Sequence, residues 1–342
     1  MADDMALRLA VIIPTYNYER YVGRAIESVT RQIDPRVELI VVDDGSTDGS
    51  WAVIQSYGIA KSFLVENGGA ARACLQGFAQ TTAPFVLFLD ADDELIEGAL
   101  ARILENLDDR VAKLQFPLLP IDENGTVIGD PLPPLRDFRD RATLMRDVAV
   151  NGVYSSPPTS GNVFHRSLCA LIEEVDYETW VDGVTLIAAP FFGDVVSLST
   201  PLGRYRIHGA NFSGSGAALT SKRFQAEADR FVSRLDHLKR TLVAKGESRA
   251  LLEPDQSFYY RETRTYQSVF EARRPRIGHV LVTLACLARS TGSPSAKAAK
   301  ALIIGLCMIL PNLASRRVVE YRFRAGRRSF VGLMRSLFPA TS

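Results

Sequence analysis

The sequence predicts an α/β protein built on a doubly wound, mostly parallel sheet, followed by a helical C-terminal region. Over the first 120 residues, short apolar runs rich in β-branched residues alternate with stretches of helical spacing. The runs are apolar on both faces, which is typical of parallel strands covered by helices on both sides. Beyond residue 220, apolar residues recur at helical spacing without strand-like runs, which predicts the helical region.

The individual elements follow from these patterns in chain order. We expect strands at residues 9–13, 37–42, 63–65, 85–89 and 114–119, separated by helices at 21–33, 50–57, 70–81 and 97–107. A further helix is expected over 182–189 and a strand over 195–198. The composition changes at Gly214 to Gly216, so we expect a first domain at residues 1–215 and a basic helical region at residues 216–342.

The composition indicates where the protein works in the cell and what kind of partner it binds. Residues 277–342 hold ten Lys/Arg and a single acid, so they carry a net charge of +9 against −8 for the rest. A basic tail on an acidic body suggests an anionic membrane or a nucleic acid as its neighbour. The four cysteines lack metal-ligand spacing and the N-terminus lacks a signal-peptide pattern, so we expect reduced thiols in a cytoplasmic protein. The longest apolar run, residues 301–310, is too short to cross a bilayer.

Three polar clusters follow predicted strands, at residues 14–17, 43–46 and 90–93. Crossovers between parallel strands are right-handed, so the carboxyl ends of the strands share one edge of the sheet. Ligands of open α/β sheets bind at that edge. We therefore expect the three clusters to form one site.

The third cluster, Asp90, Asp92 and Asp93, places three carboxylates within four residues after a buried strand. Helix capping accounts for Asp93 together with Glu94 and Glu97, but not for Asp90. A divalent cation accounts for the set better, because Mg²⁺ and Mn²⁺ prefer hard oxygen ligands and are often shared with substrate phosphates. Such a cation would neutralise a leaving diphosphate.

The other segments allow two interpretations each. The stretch VVDDGSTDGS is either a capped strand-to-helix turn or a site where the Asp44 carboxylate accepts a hydrogen bond from a nucleobase. In NGGAARA, the helix start is a weak anion site. Arg72 in this stretch either reaches a nucleotide or is an exposed helical arginine.

Together, the segments VIIPTYN, LIVVDDGSTDGS, NGGAARA and FLDADDEL resemble the family 2 glycosyltransferases in order and spacing, over about residues 8–212. The resemblance implies the GT-A fold, with a mixed, mostly parallel sheet, and inverting transfer of a sugar from a nucleotide-sugar, most commonly a UDP-sugar. It implies that the nucleotide-binding residues are Pro14, Tyr16, Asp44, Arg72 and Asp90. Asp92 would ligate the metal directly, Asp90 would lie between the ribose and the metal, and Asp93 would cap the helix or support the cluster.

The general base is also suggested by the resemblance. An inverting transfer is a single displacement that needs one base for the acceptor hydroxyl. The family's Glu-Asp pair at a helix start is similar to YETWVDGVTL, where Val181 replaces the Glu and Asp182 is the candidate base. Capping by Asp182 is the alternative, and Asp176 and Glu178 are further candidates.

Two later segments also match the family. RYRIHGANFS is similar to its YRxHxxNxS pattern, which implies that His208 approaches the metal or the diphosphate and that Arg206 contacts phosphate. PTSGNVFHR resembles an acceptor-side loop, with Gly161 and Asn162 near the sugar.

Two other functions remain open. One is a non-catalytic nucleotide-sugar-binding scaffold. The other is a sugar-nucleotide nucleotidyltransferase, which needs a Gly-rich, basic loop where PTYNYERY stands. The resemblance implies a glycan or lipid-linked acceptor. It favours peripheral contact of the basic tail with the cytoplasmic face of the membrane, ahead of packing or oligomerisation, and no nucleic-acid partner.

Overall fold

The computed structural model describes residues 6–175, 181–209, 218–247, 250–323 and 330–337. The chain divides into two compact units, residues 1–143 with 155–206, and residues 144–154 with 207–342. The expected boundary near residue 215 lies outside the described residues. The sequence placed the segment 144–154 in the first domain, whereas the structure groups it with the second unit.

The first unit contains eleven strands in the described residues. They are β1 (Leu9–Thr15), β2 (Val37–Asp43), β3 (Lys61–Leu64), β4 (Phe85–Phe88), β5 (Glu94–Leu95), β6 (Val111–Gln115), β7 (Leu118–Ile121), β8 (Phe138–Asp140), β9 (Asn162–His165), β10 (Asp194–Ser197) and β11 (Gly203–Arg206). Eight of them form one sheet in the order β3-β2-β1-β4-β9-β6-β10-β8, and the other three form a small sheet in the order β5-β11-β7.

The main sheet is mixed and mostly parallel, as predicted. β1 pairs in parallel with β2 and with β4. β9 is antiparallel to both β4 and β6, so it separates two sets of parallel strands. β8 adds an antiparallel edge next to β10. The carboxyl ends of β1, β2 and β4 therefore lie at the same edge, where the sequence placed the ligand site.

Helices cover both faces of this sheet. The helices that begin in the segments 1–143 and 155–206, whether or not they cover the sheet, are α1 (Val22–Thr30), α2 (Ser50–Ser56), α3 (Ala70–Ala79), α4 (Ala99–Leu104), α5 (Ala142–Asn151), α6 (Arg166–Cys169) and α7 (Gly183–Phe192). On one face, Val11 and Ile13 of β1 pack in a core with Ile26 of α1. On the other face, α3 approaches the sheet at Gly77, where a Cβ atom would lie 2.5 Å from Ile12 Cγ2.

Two expected elements differ from the structure. The strand expected at 114–119 is two strands, because β6 ends at Gln115 and β7 begins at Leu118 in the small sheet. The helix expected from residue 97 begins at Ala99, after Gly98 with its φ of 81°. Glu94, expected in the first helical turn, lies instead in β5.

The second unit is helical, as predicted. Its remaining helices are α8 (Ser221–Ala244), α9 (Phe258–Phe270), α10 (Ile277–Arg289), α11 (Pro294–Ile309), α12 (Asn312–Phe323) and α13 (Phe330–Leu337). Phe224, Tyr266, Val280 and Cys307 belong to its buried core. Among the described residues, no helix has the length and apolar character needed to cross a membrane. Cys74, Cys169, Cys286 and Cys307 are buried thiols without disulfide partners.

Candidate active site

The loops that follow β1 and β2 are hydrogen-bonded to each other at the predicted edge. The backbone N–H of Asp44 donates to the carbonyl of Thr15 at 2.8 Å. Asn17, at a φ of 57°, donates its N–H to the Ser46 hydroxyl at 2.9 Å. Its side-chain oxygen accepts from the N–H of Thr47 at 2.8 Å. These bonds give the first two polar clusters one fixed shape.

Asp44 holds the neighbouring loop in place. Its two carboxylate oxygens accept from the N–H groups of Gly68 and Gly69 at 2.8 and 2.7 Å. The turn before α2 is held by other carboxylates, since Asp43 accepts from Ser46 N–H and Asp48 accepts from Ser50 N–H. Asp44 therefore does not cap α2, and its contact with a nucleobase stays a prediction.

The other expected nucleotide residues lie around this loop. Arg72 is exposed on α3, and its side chain covers Gly68, where a Cβ atom would meet Arg72 Cδ at 2.2 Å. Tyr16 is exposed just past β1, and Pro14 is partly buried within it. The exposed side chains of Tyr16 and Arg72 are accessible to a ligand, and their contact with a nucleotide stays a prediction.

Asp90, Asp92 and Asp93 form a compact cluster. Each offers a carboxylate oxygen, and these oxygens lie within 4.8 Å of one another. Burial and the nearby carboxylates of Asp92 and Asp182 raise the pKa of Asp90 well above its usual value. Burial and the carboxylates of Asp92 and Asp90 likewise raise the pKa of Asp93. A divalent cation would relieve this repulsion, and close, hard oxygen donors fit Mg²⁺ or Mn²⁺.

Asp93 does not cap a helix, so of its two expected roles the structure favours support of the cluster. One of its oxygens accepts from the Ser160 hydroxyl at 2.6 Å, and the other accepts from the N–H of Arg206 at 2.9 Å. Capping fails because α4 begins only at Ala99, six residues after Asp93. Asp93 instead anchors the cluster to β11 and to the loop that contains Ser160.

Arg206 does not face a phosphate, which corrects the expectation from the YRxHxxNxS resemblance. The residue is fully buried. Its Nε donates to the carbonyl of Asp92 at 2.9 Å, and a terminal nitrogen donates to the carbonyl of Asp122 at 3.1 Å. Its other terminal nitrogen pairs with the Glu94 carboxylate. The guanidinium therefore braces the backbone behind the carboxylate cluster.

Gly161 and Asn162 are also buried, so they do not line an open acceptor face. A Cβ atom at Gly161 would lie 2.7 Å from the Phe116 carbonyl. The Asn162 amide donates to the carbonyls of Pro157 and Pro158 at 3.2 and 2.9 Å. Both residues shape the loop 155–162 from behind.

The residues of this loop that reach the site are Thr159 and Ser160, whose roles were not predicted from the sequence. The Ser160 hydroxyl accepts from the N–H of Asp90 at 3.1 Å as well as donating to Asp93. The Thr159 hydroxyl donates to the Asp182 carboxylate at 3.1 Å. Two adjacent hydroxyls thus connect the carboxylate cluster with the candidate base.

Asp182 occupies the N-cap position of α7, but its side chain makes no capping hydrogen bond. It is partly exposed and lies near enough to Asp90 to raise that group's pKa. Asp176 and Glu178 lie outside the described residues. His208 belongs to the second unit, and its part in metal binding stays a prediction.

Two further polar residues near the carboxylates were missed from the sequence. Lys113, in the buried strand β6, donates from Nζ to Gln115 at 2.8 Å and to the Ser156 hydroxyl at 2.7 Å. Burial lowers its pKa well below the usual value, and the Asp182 carboxylate opposes that shift. Burial and the cluster carboxylates raise the pKa of Tyr18, whose hydroxyl is hydrogen-bonded to Asp92. Neither residue stands out in the sequence, because Lys113 lies within an apolar run and Tyr18 lies in a loop with several tyrosines.

Comparison with known proteins identifies the class. Residues 10–150 match the profile of "Glycosyl transferase family 2". An uncharacterized glycosyltransferase of Nostoc sp. is 32% identical over 273 residues, which cover 76% of this chain and 83% of that protein. This chain belongs to glycosyltransferase family 2. It is a glycosyltransferase enzyme.

Two further relatives are similar over part of the sequence or in fold. The GalNAc(5)-diNAcBac-PP-undecaprenol beta-1,3-glucosyltransferase of Campylobacter jejuni is 35% identical over 111 residues, which cover 31% of this chain and 36% of that one. The crystal structure of S. aureus TarS 1-349 in complex with UDP-GlcNAc superposes with a TM-score of 0.55 at 16% identity, covering 96% and 95% of the two chains. That likeness confirms the GT-A fold.

Proposed function

We propose that this enzyme transfers a sugar from a nucleoside diphosphate sugar, specifically a UDP-sugar, to a glycan or lipid-linked acceptor with inversion at the anomeric carbon. One observation carries the proposal. The Asp182 carboxylate makes no capping hydrogen bond, and it is linked to the Asp90–Asp92–Asp93 cluster by hydrogen bonds from the adjacent residues Thr159 and Ser160. The UDP-GlcNAc complex of TarS supports the donor class, and the name of the Campylobacter relative supports the acceptor class.

The cluster residues divide the work of binding a cation. Both Asp93 oxygens already accept hydrogen bonds from the protein, which supports Asp90 and Asp92 rather than Asp93 as the ligands of Mn²⁺ or Mg²⁺. We include His208 as a further ligand on the strength of the family pattern. A bound cation would supply positive charge to the leaving diphosphate. Two hydrogen bonds hold Asp92 in place. Tyr18 bonds to its side chain, and Arg206 donates to its backbone carbonyl.

Asp182 acts as the general base in this proposal. Its carboxylate takes the proton of an acceptor hydroxyl while that oxygen bonds to the anomeric carbon. The bond from the anomeric carbon to the diphosphate oxygen breaks in the same displacement, and the nucleoside diphosphate leaves. The Thr159 hydroxyl orients the Asp182 carboxylate. Because Asp182 makes no capping hydrogen bond to α7, its second carboxylate oxygen is available for the acceptor hydroxyl.

The nucleotide would lie over the loops after β1 and β2. We assign its base to the surface between Pro14, Tyr16 and Asp44, and we assign Arg72 to the base or the diphosphate. The Asp44 carboxylate, already held by Gly68 and Gly69, contributes mainly by fixing this pocket. The catalytic region would span residues 1–215, with residues 216–342 as a basic region that contacts the cytoplasmic face of the membrane.

Metal-dependent turnover tests the proposal. We expect release of UDP from UDP-sugars to require Mn²⁺ or Mg²⁺ and to stop with EDTA. Asp92→Asn should reduce turnover by about a thousandfold, since one direct ligand is lost. Asp109→Asn is the matched control, because that carboxylate is 96% exposed. Full turnover by Asp92→Asn would refute the metal assignment, and UDP-sugar binding without any turnover by the wild type would favour a scaffold.

A further inference from the structure

The α10–α11 hairpin (277–309) of the second unit presents an apolar surface to solvent. On α10, every exposed residue before Arg289 is apolar or glycine. Ile277 and Leu281 are 68% and 61% exposed, and they lie one turn apart on the same helix face. The opposite face, with Val280, Cys286 and Leu287, is buried in the core of the unit. The outward face of α10 is therefore apolar although solvent is its neighbour.

The second helix and the turn after it extend this surface. Leu302 and Ile309, two turns apart on α11, are 43% and 62% exposed, and Leu313 at the start of α12 is 64% exposed. The four-residue connection at 290–293 makes α10 and α11 antiparallel neighbours, so the Ile277 end of α10 lies beside the Ile309 end of α11. Several large apolar side chains exposed on adjacent helices favour an interaction surface.

Along the chain, the hairpin and its flanking residues carry charge of a single sign. Between Glu271 and Glu320 the chain contains no acid. It contains eight cations, Arg273, Arg274, Arg276, Arg289, Lys297, Lys300, Arg316 and Arg317. Arg274 and Arg276 are exposed immediately before α10, and Arg289 is exposed at its end. An apolar helix face flanked by cations is the pattern that binds anionic lipid at the bilayer interface.

We propose that the outward face of the α10–α11 hairpin is the surface by which this enzyme binds an anionic lipid bilayer. Ile277, Leu281 and Ile309 enter the interface, and Arg274, Arg276 and Arg289 contact lipid phosphates. A second copy of the chain fits less well, because a two-fold contact would bring two sets of these exposed arginines together. The proposal deepens the membrane contact proposed above by giving it a surface and a lipid class.

Vesicle co-sedimentation of the full chain tests this surface. We expect binding to phosphatidylcholine vesicles that contain phosphatidylglycerol, weakening as salt rises, and little binding to phosphatidylcholine alone. Ile277→Asp/Leu281→Asp should lower the partition coefficient by more than about tenfold, because charges replace two aliphatic side chains that enter the bilayer interface on binding. Val243→Asp is the matched control, since Val243 is 74% exposed on α8 of the same unit and should not alter binding.

The outcomes separate this proposal from the enzymatic one. Asp92→Asn should bind vesicles like the wild type, and Ile277→Asp/Leu281→Asp should retain turnover of a water-soluble donor. Equal binding of the double variant and the wild type would overturn the proposal, as would equal binding to neutral and anionic vesicles. A concentration-dependent dimer in light scattering, lost in the double variant and accompanied by no vesicle binding, would assign the face to a second copy instead.

Discussion

The carboxylates of the site differ in what surrounds them, although they look alike in the sequence. Asp93 accepts protein hydrogen bonds at both oxygens, and Asp44 accepts loop N–H groups at both oxygens. Asp182 accepts a hydrogen bond from the Thr159 hydroxyl. A carboxylate whose two oxygens both accept hydrogen bonds from the protein is held in one orientation. A carboxylate oxygen without such a bond can accept one from a substrate hydroxyl. This difference supports structural roles for Asp93 and Asp44 and a chemical role for Asp182.

Removing the Thr159 hydroxyl should slow catalysis without weakening donor binding. Thr159→Val deletes the bond to Asp182, and a hydrogen bond to a charged group is worth about 1.5 kcal/mol or more, so kcat should fall by about tenfold. Thr159→Ser keeps the hydroxyl and serves as the matched control, with kcat near the wild-type value. Steady-state transfer kinetics and donor titration calorimetry give the two readouts.

Asp182→Asn sets the lower limit in the same experiment, with kcat reduced by about a hundredfold or more because the base is lost. If Asp182→Asn turned over like the wild type, the base would lie elsewhere, and Asp176 and Glu178 would be the next residues to change. A raised donor KM in Thr159→Val with unchanged kcat would contradict a role for Thr159 in positioning the base.

The elements of the sheet were largely predictable, because β1, β2 and β4 are continuous apolar runs that end in polar turns. Other features depend on tertiary contacts that leave no local pattern. The insertion of β9 between β4 and β6 joins residues far apart in the chain. Helix α9 has no clear apolar period, because its buried positions include Glu262, Thr265 and Gln267.

The site was predictable to a similar degree. The three clusters meet at one sheet edge because parallel strands impose it. The structure buries Arg206, Gly161 and Asn162 behind the site, which the motifs could not show because a motif gives residue identity but not burial. Thr159 and Ser160 carried only the weak signal of two hydroxyls in a proline-rich loop.

The close approach of α3 to the sheet should make Gly77 intolerant of a side chain. A Cβ atom there would lie 2.5 Å from Ile12 Cγ2 and 3.3 Å from Val42 Cγ2. Gly77→Ala should therefore cost about 1–3 kcal/mol of unfolding free energy through overpacking, despite the higher helix propensity of alanine.

Urea unfolding followed by circular dichroism measures the effect of Gly77→Ala. Gln76→Ala, on the exposed face of the same helix, is the control and should change the unfolding free energy by less than about 0.5 kcal/mol. A Gly77→Ala variant as stable as the wild type would show that α3 can move away from β1 at little cost.

At the scale of the whole molecule, charge is divided by function. The carboxylate cluster lies in the first unit, whereas residues 272–319 of the second unit include lysines and arginines but no acidic residue. A cation-dependent chemical site and a cationic surface for anionic lipid are thus built from different parts of the chain. Each can be removed by substitution without touching the other, which makes the two proposals separable.

The carboxylate cluster should link metal binding, pH and the stability of the protein. Because the folded-state pKa values of Asp90 and Asp93 are raised, the metal-free folded chain binds protons that the unfolded chain has released. The stability associated with those protons is present at low pH and is lost as pH rises through the raised values. A cation must displace the same protons, so its affinity should increase with pH.

We therefore expect Mn²⁺ with UDP to raise the unfolding temperature more at pH 7.5 than at pH 5.5. Ligand at about a hundred times its Kd adds about 2.7 kcal/mol to the unfolding free energy, and proton competition at pH 5.5 should remove much of that gain. Differential scanning calorimetry at the two pH values, with UDP present throughout and Mn²⁺ added or chelated, isolates the metal-dependent part. Asp92→Asn should show none of it at either pH, whereas Asp109→Asn should match the wild type. A metal-dependent shift of equal size at both pH values would mean that Asp90 and Asp93 hold no protons that compete with the cation.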